Sequence, residues 1–137
     1  IETKRGHNLG RVLWKGAPAP NTGIPGIIGG YGKERVIHSP AKGILRNVKK
    51  ITDTVSKGEV IAVVETEDGN VPVEATLDGI LRGLIRDGYP VHVGFKMADI
   101  DPRAEEYENC FTISDKARCI AGGVLEALLQ RKGELGL

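Results

Sequence analysis

The sequence predicts a mostly β protein, with two pseudo-symmetric strand-rich units and one C-terminal helix. Three observations carry that expectation. Valine, isoleucine and glycine are abundant while aromatics make up only 4%, the profile of turn-rich strands around a thin aliphatic core. The chain matches itself at a shift of 36 residues. An apolar stripe at helical spacing runs along the C-terminal stretch, as an amphipathic helix requires.

At 137 residues the chain suits one compact domain. Nineteen basic residues against 18 acidic ones leave a net charge of +1. That argues against nucleic acid or an anionic membrane as partner. Scarce aromatics argue against base stacking. No apolar run approaches the ~20 residues a bilayer span needs. Two cysteines, Cys110 and Cys119, make no disulfide framework, and residues 1–15 lack an apolar signal core. The cytoplasm is the expected location. The chain opens on Ile1-Glu2-Thr3 without an initiator Met and reads as a piece of a longer protein.

Residues 1–34 begin basic and polar, then turn Gly/Pro-rich. Arg11 to Trp14 reads as a short strand. Gly16 to Gly32 holds Pro18, Pro20, Pro25 and six glycines, which excludes a continuous helix. A loop of that length usually has a function or is disordered.

Residues 35–101 hold the repeat. Gly43-Ile44-Leu45-Arg46 falls on Gly79-Ile80-Leu81-Arg82, Val55 on Val91, Gly58 on Gly94, Ile61 on Met97 and Ala62 on Ala98. One such unit cannot bury its apolar face alone. Two units at about 36–65 and 72–100 can, packed sheet on sheet. The corner Ser39-Pro40-Ala41-Lys42-Gly43 and the turn Asp53 to Gly58 resemble the biotinyl/lipoyl-type hammerhead. The fold this implies is a barrel-sandwich hybrid. Carriers of that type place a modifiable lysine on the hairpin between the two units. Here that hairpin is Glu65-Thr66-Glu67-Asp68-Gly69-Asn70, with no lysine. A biotin or lipoyl ligase would find no amine to acylate, so the repeat reads as scaffold.

Residues 102–137 form a polar link and a helix over about 115–131. Ser114 suits the N-cap and Asp115 the positive end of the helix dipole. Ala117, Ile120, Ala121, Val124, Leu125, Leu128 and Leu129 form the apolar stripe, expected to pack on the barrel. Gly133 is the expected stop. Gly122-Gly123 inside the helix costs roughly 1 kcal/mol per glycine. A strand passing close by is the expected reason.

The candidate chemistry lies mostly outside the repeat. Thr3 to Arg11 mixes hydroxyl, guanidinium, imidazole and amide groups with two glycines. The set suits a phosphate or carboxylate, though on the residues alone a solvated edge or frayed terminus is the favoured reading. The loop from Asn21 to Lys33 is neither a P-loop nor a dinucleotide fingerprint. It reads as a backbone cradle for an anionic or planar ligand, or as a crossover loop covering one end of the barrel. His7, His38, His92, Cys110 and Cys119 show no metal-ligand spacing; no metal is expected. His92 is expected to be exposed and Cys119 to pack. His7 with Asp101 or Asp115 is the nearest acid/base set. Asp101-Pro102-Arg103 and Ser114-Asp115-Lys116 are compact polar clusters, for which structural ion pairs are the plain alternative.

Taken together, Thr3 to Val12, Asn21 to Gly26, Gly29-Gly30-Tyr31, Asp78 to Ile85, Asp101-Pro102-Arg103, Ser114 to Ala117 and Gly122 to Glu126 resemble the selenium-dependent molybdenum hydroxylase accessory (YqeB-type) family. The resemblance implies a role in maturing molybdenum hydroxylases, with the hydroxylase or its cofactor as partner. It implies that this region is a C-terminal half, preceded by an N-terminal half with a Gly-rich, Rossmann-like opening. It marks Thr3, Arg5, His7, Asn8, Arg11, Asn21, Thr22, Arg103, Asp115 and Lys116 as the ligand-binding set. Two other readings stay open. One is half of an enzyme whose nucleotide-binding half lies elsewhere, with His7 or Asp115 as acid/base. The other is a structural docking domain for the hydroxylase.

Overall fold

A computed structural model describes residues 1–21 and 26–136. Its contacts divide the chain into two compact units, Ile1–Gly23 with Phe111–Leu137, and Ile24–Cys110. The first unit joins the two ends of the chain, through bonds between the N-terminal segment and the C-terminal helix.

The unit Ile24–Cys110 is all β apart from short 3-10 turns. Its strands are β1 (Val36–His38), β2 (Gly43–Asn47), β3 (Thr54–Val55), β4 (Val60–Thr66), β5 (Gly69–Glu74), β6 (Gly79–Leu84), β7 (Pro90–Val91) and β8 (Lys96–Asp101). They form two four-stranded antiparallel sheets, β1-β8-β6-β3 and β5-β4-β2-β7. This is the barrel-sandwich hybrid the repeat predicts.

The pseudo-symmetry is visible bond by bond. The Thr52 N–H donates to the Leu81 carbonyl, and the Gly88 N–H to the Leu45 carbonyl. The Leu81 N–H donates to Asp53 and the Leu45 N–H to Tyr89. The Gly58 N–H donates to Ala75 and the Gly94 N–H to Ser39. In each couple the partners are exchanged between units, as a two-fold axis requires.

Burial follows the same relation. Leu45 and Leu81 are fully buried, as are Val64 and Ile100; Val55, Val91, Ile61 and Met97 join them. Deleting such a leucine side chain typically costs about 2–5 kcal/mol. Glycine is dictated at the two corners by close approach. A Cβ at Gly43 would lie 2.1 Å from the Glu65 carbonyl oxygen, and one at Gly79 2.3 Å from that of Asp101.

The repeat also carries an ion pair in each unit, in different surroundings. Arg46 Nε donates to Glu65 at 2.8 Å, with both side chains about half exposed. Its counterpart, Arg82 Nη1 to Asp101, spans 2.7 Å around a fully buried carboxylate. Arg103 adds Nε, Nη2 and its backbone N–H to Asp101, and Glu106 pairs with both arginines. Burial opposes ionisation of Asp101. The hydrogen bonds from Arg103 and Arg82 outweigh it and hold the carboxyl well below the usual carboxylate range. Of the two sequence readings of Asp101, an acid/base partner of His7 or a member of a structural ion-pair cluster, the structure shows the ion-pair cluster.

Several local expectations differ from the structure. Residues 11–14 form no strand; they run as irregular backbone. In the Gly-rich loop, Ile28 and Tyr31 exchange backbone hydrogen bonds of 2.9 and 3.0 Å around Gly29-Gly30. Both glycines have positive φ, 56° and 85°, the signature of a type I′ turn. The Ile28 and Tyr31 N–H groups are therefore engaged within the turn. Thr22 lies outside the described residues. The link after β8 is a 3-10 stretch, Ala104–Phe111. His38 ends β1 and is exposed, and His92 is exposed as expected.

The helix of the other unit, α1 (Asp115–Gln130), starts where the capping residues predict: the Ala117 N–H donates to Ser114 Oγ. It does not end at Gly133. That residue sits within a further turn, α2 (Lys132–Leu135), which stops at Gly136 with φ 69°. Of the residues described in α1, only Gly123 is buried. Val124, Leu125, Leu128 and Leu129 of the apolar stripe are exposed.

Candidate functional site

The unit that holds α1 also holds residues 1–21, and here most of the candidate set gathers. Residues 2–11 close into a loop. The Glu2 N–H donates to the Arg11 carbonyl at 2.9 Å and the Gly10 N–H to the Glu2 carbonyl at 2.8 Å. Turns at Gly6–Leu9 and Asn8–Arg11 tighten it. The Glu2 carboxylate accepts from the Lys4 and Ala19 N–H groups. Those bonds hold its pKa below the ordinary value.

Two contacts fix this loop on α1. Arg5 donates through both terminal nitrogens to Asp115, at 2.7 and 2.8 Å. The paired bonds from Arg5, and then the Lys116 N–H, hold the Asp115 carboxyl well below the usual carboxylate range. The pair is exposed, so it orients the loop more than it stabilises it. The second contact is steric. A Cβ at Gly123 would sit 1.9 Å from the Gly10 carbonyl oxygen, and one at Gly10 2.4 Å from that of Cys119. Loop and helix backbones touch directly. That explains the glycine inside the helix; the neighbour is a loop rather than the expected strand, and Gly122 faces open space.

Beside this contact lies an open cavity of about 480 Å³, lined by His7, Asn8, Leu9, Gly10, Arg11, Cys119, Gly123 and Glu126. Arg11 Nη1 donates to Asn8 Oδ1 at 3.1 Å, which aligns the guanidinium with the amide. Its remaining N–H donors, the Asn8 amide and the His7 ring make a set suited to an oxyanion. Glu126 brings a carboxylate to the same cavity, oriented by the Gln130 side-chain amide at 3.1 Å.

The candidate residues thus divide. His7, Asn8 and Arg11 share the cavity. Arg5 and Asp115 are bonded to each other, and Lys116 follows on the first turn of α1. Thr3 is on the exposed part of the loop and Asn21 ends the described segment. Arg103 belongs to the other unit, engaged by Asp101 and Glu106. Sequence reasoning missed two lining residues, Cys119 and Glu126. Cys119 was expected to pack and is exposed. Their signal was the helical register: residues 119, 123 and 126 fall on one face at spacings of four and three. Among the described residues no group of three or more His, Cys, Asp or Glu side chains gathers as metal ligands. Among them also, no helix is long and apolar enough to cross a membrane.

The β unit defines the class of fold. Residues 35–100 match the model of the biotin-requiring enzyme (biotin/lipoyl) family, in line with the exchanged hydrogen bonds of its two halves. Over 130 residues, 94% of its length, the chain is 51% identical to "Uncharacterized protein YqeB" of Escherichia coli (strain K12). It spans 23% of that relative, a smaller share than the half that the family resemblance implies. Solved structures are more distant. The ectoine utilization protein EutE (DoeB) of Ruegeria pomeroyi, in its apo form, aligns at 20% identity with a TM-score of 0.45, covering 49% of this chain and 22% of its own. A single-chain, multi-domain long-chain acyl-CoA carboxylase aligns at 18% identity with a TM-score of 0.47, covering 80% and 12%.

Proposed function

We propose that the chain is part of an accessory protein for the maturation of molybdenum hydroxylases, and that its N-terminal loop binds an anionic ligand, a cofactor phosphate or an oxyanion. The observation that carries the reading is the convergence of His7, Asn8 and Arg11 on one cavity beside α1. Arg11 supplies the charge, Asn8 aligns it, and His7 adds a ring donor or acceptor. Arg5 and Asp115 position the loop. The maturation role rests on the resemblance of Thr3 to Val12 and of Ser114 to Ala117, the loop and helix start that frame this cavity.

Glu126 refines the expected ligand. An anion on Arg11 shares the cavity with this carboxylate, so a ligand carrying a hydrogen-bond donor beside its anionic group fits better than a bare dianion. The experiment is calorimetric titration of the chain with phosphate and with molybdate at low ionic strength. Saturable binding that is lost in Arg11→Ala and tightened in Glu126→Gln is the expected result. Binding unchanged by Arg11→Ala, or no saturable binding even in Glu126→Gln, would reject the site.

A further inference from the structure

The unit formed by Ile1–Gly23 and Phe111–Leu137 has no aliphatic core of its own among the described residues. Every buried hydrophobic side chain described lies between Val36 and Ile100. What this unit buries is backbone, Gly10 against Gly123. Its most apolar side chains are exposed. Val124, Leu125, Leu128 and Leu129 stand on one side of α1 at 44%, 57%, 44% and 63% exposure, with Ile113 just before the helix at 60%. Residues at spacings of one, four and five share a helical face. The loop occupies a different face, through Cys119 and Gly123.

A helix within a protein, such as the 16-residue α1, draws most of its stability from packing its apolar face rather than from propensity. A contiguous exposed aliphatic patch is the mark of an interaction surface. The chain also spans only 23% of a relative to which it is 51% identical, so about three-quarters of that polypeptide lies beyond the matched region. We propose that the Val124–Leu129 face of α1 is an intramolecular docking surface, covered by an aliphatic surface from the remainder of a longer polypeptide. The same docking holds α1 straight beneath the loop, so a remote domain sets the order of the cavity. This inference does not need the anion site to exist.

The test is amide hydrogen exchange on residues 1–137 alone and within the longer polypeptide, with the oligomeric state of each measured by light scattering. The expected result is a monomeric 137-residue chain whose α1 amides exchange at least about tenfold faster than in the longer polypeptide, while β4 amides exchange alike in both. In the longer polypeptide, Leu125→Glu with Leu129→Glu should restore fast exchange in α1 and leave β4 unchanged. Equal protection of α1 in the two forms would overturn the proposal. So would a dimer of the short chain that the double variant dissociates, since the occupant would then be a second copy. Anion titration of the same samples separates this inference from the proposed function: loss of binding with α1 still protected fails only the latter.

Discussion

Two adjacent glycines in α1 offer a controlled perturbation of the candidate site. Alanine at either position should add roughly 1 kcal/mol of intrinsic helix stability. At Gly122 the new methyl meets nothing within 4 Å. At Gly123 it would stand 1.9 Å from the Gly10 carbonyl oxygen and 3.0 Å from the carbonyl carbon. A methyl carbon and a carbonyl oxygen settle no closer than about 3.3 Å, so the loop would have to retreat by about 1.4 Å. Backbone at that contact has no rotamer to change, and overpacking of this kind costs about 1–3 kcal/mol or more. Gly122→Ala should therefore raise helicity by circular dichroism and keep the loop docked. Gly123→Ala should cancel its propensity gain and release the loop, seen as faster exchange of the Gly10 and Arg11 amides and weaker phosphate binding. Equal helicity gains in both variants, with the Gly10 amide still protected, would refute the claim that this contact forms the cavity.

Three further expectations concern the β unit. Thr52 holds φ 90°, and its repeat counterpart Gly88 holds φ 73°. Thr52→Gly should stabilise the protein by about 1 kcal/mol in denaturant titration, because a β-branched residue is strained there; unchanged or lower stability would show the strain is absent. The repeat-related carboxylates should differ: Asp101→Ala costs about 1.5–3 kcal/mol, because it removes the buried acceptor of Arg82 and Arg103 and leaves both to Glu106 alone, whereas Glu65→Ala costs less than about 1 kcal/mol. Similar losses in thermal melts would contradict the burial contrast. Asp101 releases its proton more readily folded than unfolded. Its contribution is thus complete above the unfolded carboxylate value of about 3.9 and fades as pH falls through the lower folded value. Acid unfolding should be steep below about pH 4 in the parent and flatter in Asp101→Asn.

The sequence by itself determined the β unit. Side-chain alternation and a gapless repeat are local properties, and core burial follows the repeat at Leu45 with Leu81 and Val64 with Ile100, as does the close approach at Gly43 and Gly79. The N-cap of α1 was equally legible, since Ser114 and the Ala117 N–H lie three residues apart. What only the tertiary structure decided depends on partners distant in the chain. Arg5 meets Asp115 across 110 residues, and no local pattern encodes that distance. Gly123 follows from the Gly10 carbonyl, which propensity registers merely as a cost. The helical register held Cys119 and Glu126 on one face, but only the docked loop turned that face into a cavity. The apolar stripe of α1 was visible as a pattern, yet a pattern states that a surface seeks cover and not what covers it. Burial is a property of the assembled surface, and at Val124, Leu125, Leu128 and Leu129 that surface is open.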